Sequence, residues 1–161
     1  MTLSGKDELF WVDLLAFNGN QKLDQVLTSI FTNKKTTIVT FKNSLSDLKK
    51  KLLGMKFLNN ISNFANVLEC FNNIYSESSN SDHTLKYIIE CLFDDRKLCT
   101  KEMHSNWENR PLRYSQEHYA GTEAFIISEI FTIMKKQAKE SKISMKKFIS
   151  QVNNASQNYG N

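Results

Sequence analysis

A chain of 161 residues, 40% hydrophobic and 24% charged, suits one domain of ordinary size with a real apolar core and is too short for two. Its mean hydropathy of -0.44 and its many Asn, Ser and Lys residues point to generous polar loops. No apolar run approaches the roughly 18 residues a membrane helix needs and no signal-peptide pattern opens the chain, so an intracellular location, nuclear or cytoplasmic, is expected.

In chain order, "ELFWVDLLAF" (8–17) is aromatic and β-rich, bounded by Gly5 and "NGN", and predicts a strand. "QKLDQVLTSIF" sets Leu23, Val26, Leu27 and Ile30 at helical spacing, with Asn20 as N-cap. "TTIVTF" (36–41) is a β-branched run and predicts a buried strand. "NSLSDLKKKLLG" suits a short helix closed by Gly54. Between 58 and 80, Phe64, Val67, Leu68 and Phe71 fit either a strand or a helix, and "SESSNSD" (76–82) reads as a loop. Asp82 is placed to cap "HTLKYIIECLF", whose stripe is Leu85, Ile88, Ile89 and Leu92. Ser115 is placed to cap a long helix to about Lys136, turning Phe125, Ile127, Ile130, Phe131 and Met134 to a core. Met145, Phe148, Ile149 and Val152 form a last helical stripe before a polar tail.

Strand and helix signals in alternation predict an α/β domain with a parallel crossover between the strands at 8–17 and 36–41. Ligands of such sheets gather at strand ends, in the turns that follow and on the helices beside them.

Familiar catalytic patterns are absent: there is no Gly-rich phosphate loop, no GxSxG and no HExxH. Cys70, Cys91 and Cys99 lack CxxC or Cys/His ligand spacing, so reduced, buried or half-buried thiols are expected. His83, His104 and His118 read as packed or exposed rather than catalytic. The net charge of +4 permits a polyanionic partner without demonstrating one. Its densest cluster, Lys135, Lys136, Lys139, Lys142, Lys146 and Lys147, reads first as a solvated helix face. Two acids stand out: Asp47, in the turn between a β-run and a helix, and Glu123, one helical turn after Tyr119 and on its face. A metal site for phosphodiester hydrolysis uses such carboxylates, yet a Tyr/Glu pair at this spacing is also an ordinary helix contact.

The segment "SNWENRPLRYSQEHYAGTEAF" (105–125) closely resembles the third motif of the DEDDy 3′–5′ exonucleases, most of all the Nibbler and Mut-7 branch, with RNase D and Werner-type domains more distant. The residues that carry the likeness are Ser105, Asn106, Trp107, Arg110, Pro111, Leu112, Gln116, Tyr119, Ala120 and Ala124. "TFKNSLSDLKKKL" resembles the second motif and sets its metal-binding Asp on Asp47, while "KDELFWVDLLAF" resembles the strand that follows the first motif. The resemblance implies an α/β, RNase H-like fold, a mixed sheet flanked by helices, over residues 1–137; residues 138–161, which it does not cover, read by themselves as a Lys-rich helix and polar tail. It implies metal binding by Asp47 and Glu123, a water-positioning role for Tyr119, and a structural turn built by Trp107, Arg110, Pro111 and Gln116. Mg²⁺ or Mn²⁺ in a two-metal site and the 3′ end of single-stranded RNA or DNA as partner follow from the same likeness, RNA being favoured by the Nibbler-like form.

Two departures qualify what the likeness implies. Glu123 replaces the family's last Asp, which moves the carboxylate by about one methylene in a site that tolerates little displacement. No Asp-x-Glu occurs in the sequence, although the family's first motif supplies one from the central strand. Without that strand, the strands at 8–17 and 36–41 are expected to be separated. Two expectations stand side by side: an N-terminally incomplete piece of a larger exonuclease, or a degenerate, inactive relative that binds nucleic acid or a protein partner through the lysines or the Phe148 face. Either leaves this chain alone without the full set of acids.

Overall fold

The computed structural model describes residues 2–4, 8–14, 16–42, 48–50, 52, 55–59, 61–75, 82–144 and 148, and all structural statements concern these. Asp47, Gly54, Lys146, Lys147 and the stripe residues Met145, Ile149 and Val152 lie outside them.

The chain opens with a hairpin-like pair: β1 (Thr2–Ser4) runs antiparallel to β2 (Leu9–Trp11), with Thr2 opposite Trp11 and Ser4 opposite Leu9. β2 is far shorter than the β-rich run because Asp13 turns the chain. Its carboxylate accepts from Ala16 N at 3.2 Å and its carbonyl from Phe17 N at 3.1 Å, a local alternative to a strand ladder that Asp readily offers. Gly19, at φ 80, completes the turn in a conformation costly to any residue with a Cβ.

Asn20 then caps α1 (Gln21–Phe31) as expected, its side chain accepting from Leu23 N at 3.0 Å. The buried ridge is Leu27 and Phe31, with Leu23 packed beside them, whereas Val26 and Ile30, expected inside, are 56% and 36% exposed. The reason lies in the partner. A 3₁₀ turn at Phe57–Asn59 meets α1 along the i, i+4, i+8 row, with the Phe31 and Phe57 rings 4.9 Å apart and near-perpendicular. Asp24 fixes that docking by accepting from Lys56 N and Phe57 N at 2.8 and 2.9 Å.

β3 (Ile38–Thr40) is half-buried rather than buried and pairs in parallel with β4 (Phe64–Asn66), Ile38 opposite Phe64 and Thr40 opposite Asn66. The parallel crossover therefore joins β3 to β4, and the expected pairing of the 8–17 and 36–41 strands does not form: they lie in separate two-stranded sheets. Each strand ends up separated from the other, as the resemblance implies for this fold without a central first strand among the described residues. The ambiguous stretch resolves as both alternatives in succession, since β4 passes directly into α2 (Val67–Tyr75). Buried Asn66 makes that sharp junction possible, accepting from Leu68 N at 3.1 Å in the manner of an N-cap.

α3 (Leu85–Leu92) is capped by Thr84, whose hydroxyl accepts from Tyr87 N at 3.2 Å; Asp82, expected in that role, instead pairs with Lys42 at 2.7 Å. Its stripe is as read, with Leu85, Ile88 and Ile89 buried and Leu92 packed against them. α4 (Tyr114–Glu140) begins after Arg113 rather than at Ser115, because the Gln116 side chain reaches back to accept from Arg113 N at 3.0 Å. Ile126, Ile130, Phe131, Met134 and Ala138 face the core, while Phe125, expected inside, is 45% exposed.

Two apolar clusters result. One gathers α2, α3 and α4 with Phe148, the other α1 with Leu14, Leu52, Met55, Phe57 and Leu58. α4 contacts both β1 and β3, so a single helix spans the two sheets. Cys70 is buried, but Cys91 and Cys99 are exposed, contrary to expectation, because they sit on the solvent side of α3 and in the segment after it; all three are free thiols.

Candidate active site

The segment before α4 is organised by two polar side chains. Gln116 is 1% exposed; its amide donates to Ser105 Oγ and to the Asn106 carbonyl, both at 2.9 Å, while its oxygen holds Arg113 N. One buried amide thus uses donors and acceptor to fasten the 105–113 segment to the first turn of the helix, leaving no polar atom of that amide wasted. Arg110 does the same at longer range. Its Nη1 donates to the carbonyls of Trp107 and Asn109 at 2.9 and 2.8 Å, and its other face forms a two-pronged ion pair with Asp13, through Nε to Oδ2 and Nη2 to Oδ1. Arg110 is joined to Pro111 by a cis peptide bond. Arg113 pairs with Glu102 at 2.7 Å, and hydrogen bonds from Ser115 and Arg113 hold the Glu102 carboxyl below its ordinary pKa.

On this support stand Tyr119 and Glu123. The Tyr119 ring is 8% exposed and lies 6.1 Å from the Trp107 ring, tilted by 42°. Its hydroxyl donates to Glu123 Oε1 at 2.6 Å, a short charge-assisted bond at i, i+4. Burial first, then the bond to Glu123 and its charge, with a smaller push from Cys99, raise the phenol pKa far above its ordinary value. The phenol is therefore protonated at neutral pH, and its proton is committed to Glu123. What remains free for chemistry is its oxygen as an acceptor.

The sequence-derived residues are brought together in part. Trp107, Arg110, Gln116, Tyr119 and Glu123 share one region; Pro111 is exposed at its margin; Asp47 lies outside the described residues. The segment that leads to Asp47 leaves the carboxyl end of β3 through Lys42, at φ 54, whose N–H donates to buried Asn66 at 3.1 Å. His104 and His118 are exposed, and His83 stacks on Tyr87 with centroids 4.4 Å apart. Sequence reasoning missed Asp13, for which an acid interrupting an apolar run was the available signal.

Among the described residues no three His, Cys, Asp or Glu side chains converge to hold a metal ion. Glu123 is the one described carboxylate beside Tyr119 that sequence assigned to metal, and its Oε1 already accepts the phenol proton. A paired-ion phosphodiester site needs several hard oxygen ligands, so the described donor set by itself does not fit one.

The α/β layering agrees with an RNase H-like exonuclease domain, the class that the comparisons show. A family profile described as 3′–5′ exonuclease matches residues 2–139, and the chain belongs to that family, whose members generally use divalent metal ions and act on nucleic acid. Among solved structures it is similar to the Aedes aegypti Nibbler EXO domain, with a TM-score of 0.70, 18% identity, and coverage of 89% of this chain and 72% of that one. No curated protein matches the sequence.

Proposed function

We propose that this chain supplies the Tyr-bearing part of a nuclease that removes nucleotides from the 3′ end of a single strand, RNA in preference to DNA. The observation that carries the reading is the buried Tyr119 hydroxyl bonded to Glu123 at 2.6 Å, one turn beyond a segment locked by Arg110 and Gln116. In this reading Tyr119 is the water-positioning residue. With its proton held by Glu123, the phenol oxygen accepts a hydrogen bond from the attacking water and fixes its direction toward the terminal phosphodiester. Glu123 holds the phenol and, with Asp47, contributes oxygen ligands for Mg²⁺ or Mn²⁺, ions that would polarise the scissile phosphate. Because the described carboxylates do not complete such a site, the proposal expects slow rather than absent turnover by this chain alone.

A second reading, a catalytically silent nucleic-acid-binding relative, is favoured by one observation: Glu123 in place of Asp reaches Tyr119 directly. Digestion of 5′-labelled single-stranded RNA with Mn²⁺ separates the two. Stepwise 3′ shortening that Tyr119→Phe reduces by about 100-fold or more supports the nuclease reading. Folded wild-type protein that binds the strand and never shortens it supports the silent one, and equal rates for wild type and variant remove Tyr119 from the reaction.

A further inference from the structure

The outward side of α4 carries chemistry that the Tyr119–Glu123 pair does not use. At 3.6 residues per turn, Tyr114, Phe125, Lys135, Lys136 and Lys139 fall within a wedge of about 100°. Tyr114 is 81% exposed and tilts against His118, Phe125 is 45% exposed, and the three lysines are all exposed. Gly121 lies in the same wedge and is buried because Trp11, with Leu9 beside it, covers it: a Cβ there would sit 3.1 Å from Trp11 Cζ2 and 3.4 Å from Leu9 Cδ1. The missing side chain lets the Trp11 indole, itself 44% exposed, take its place in line between Tyr114 and Phe125. The wedge thus runs from three accessible aromatic faces to three cations over about 38 Å of helix. Its one carboxylate within the aromatic half is Glu117, at the edge; Lys136 pairs with Glu140 at 4.0 Å, and neither Lys135 nor Lys139 forms an ion pair among the described residues.

Helix stability does not account for this arrangement. Only the last turn gains from cations through the helix dipole, and Lys135 and Lys136 stand before it. Exposed aromatic faces followed by exposed lysines are what a single-stranded nucleic acid requires: π-faces on which bases stack whatever their sequence, and cations that displace counterions from phosphates.

We propose that the outer face of α4, with Trp11 set into it, is a track for single-stranded nucleic acid, distinct from the Tyr119–Glu123 pair on the opposite side of the helix. The inference rests on the nucleic-acid reading above and adds a second surface, one that holds the body of the strand. At one charge per about 3.4 Å along a stacked strand, the track spans at most about eleven nucleotides.

The two halves have different signatures, which makes the track testable without cleavage. Binding of a fluorescent 12-nucleotide single-stranded RNA is measured by anisotropy in EDTA across a KCl series. Lys135→Gln, Lys136→Gln, Lys139→Gln together should make the log K against log salt slope shallower by about 2, at about 0.7 per cation. Tyr114→Ala with Phe125→Ala should weaken binding at least about fivefold with the slope unchanged. All five positions are exposed, so thermal melting of both variants should match wild type. A 12-mer bound equally well by wild type and either variant overturns the track while leaving the Tyr119 cleavage test intact. Lysine-dependent attachment to phosphatidylserine vesicles in place of RNA overturns it in favour of a membrane surface. No binding of any RNA by wild-type protein overturns the track and the nucleic-acid reading beneath it together.

Discussion

Gln116 shows how much a single side chain can hold. Its amide satisfies three backbone or hydroxyl partners at near-zero exposure, so Gln116→Ala leaves Arg113 N and the Asn106 carbonyl without their partner inside the fold. A loss of about 2–4 kcal/mol is expected in urea unfolding, with Glu at this position recovering only the acceptor half. Cys70 makes a prediction in pH. Burial, then the neighbouring charge of Glu69, pushes its thiol up from 9.0 to about 12. An acid whose folded pKa lies above its unfolded one adds stability that is fully present below the unfolded value, here pH 9.0, and is lost as pH rises toward about 12. Wild-type stability should fall over that window, and Cys70→Ala should flatten the fall. In the native state at pH 8, a thiol reagent should label Cys91 and Cys99 but not Cys70, whose Sγ lies 3.8 Å from the Phe148 carbonyl. Three equivalents labelled without denaturant would contradict the buried placement. Trp107, Arg110, Pro111 and Gln116 were legible through the resemblance of their segment to a known motif, and Tyr119 and Glu123 also because a Tyr and a Glu four apart must share a helix face. Asp13 was not, because its partner Arg110 is 97 residues away and only folding makes them neighbours.

Among the elements, ends were read less well than interiors. Asn20 was read correctly since Asn before an amphipathic run has few other uses, and Asn20→Ala should cost about 1 kcal/mol by chemical denaturation. Thr84 and Arg113 displaced the expected caps Asp82 and Ser115, each for its own reason. Asp82 found a distant cation in Lys42, and Gln116 supplied from within α4 what Ser115 would have offered from its start. Stripe positions follow the same logic. Val26, Ile30 and Phe125 satisfy helical periodicity, but periodicity defines a broad face, and the neighbour decides which row of it is covered. For α1 the neighbour is a short 3₁₀ turn, which covers little; for α4 the β2 tryptophan takes a row that its own sequence leaves empty at Gly121.

At the scale of the molecule, stability is divided between two apolar clusters with α4 laid across both sheets. Phe148, 1% exposed and stacked at 5.8 Å on Phe131, ties the residues after α4 into the larger cluster. Phe148→Ala should therefore destabilise by about 3–5 kcal/mol, seen as a shifted urea midpoint with an unchanged slope, whereas an exposed docking phenylalanine would cost little. By itself the sequence determined the α/β class, α1 and its cap, the α3 stripe, and the sharing of one helix face by Tyr119 and Glu123. These rest on spacing and on interactions a few residues long, which the order of side chains encodes directly. Tertiary structure alone decided that β3 pairs with β4 rather than with the 8–17 strand, that Asp13 anchors Arg110, and that Trp11 fills the place of a side chain at Gly121. Each of these depends on segments far apart in the chain competing for the same partner, and which one wins is fixed by packing that no local pattern contains.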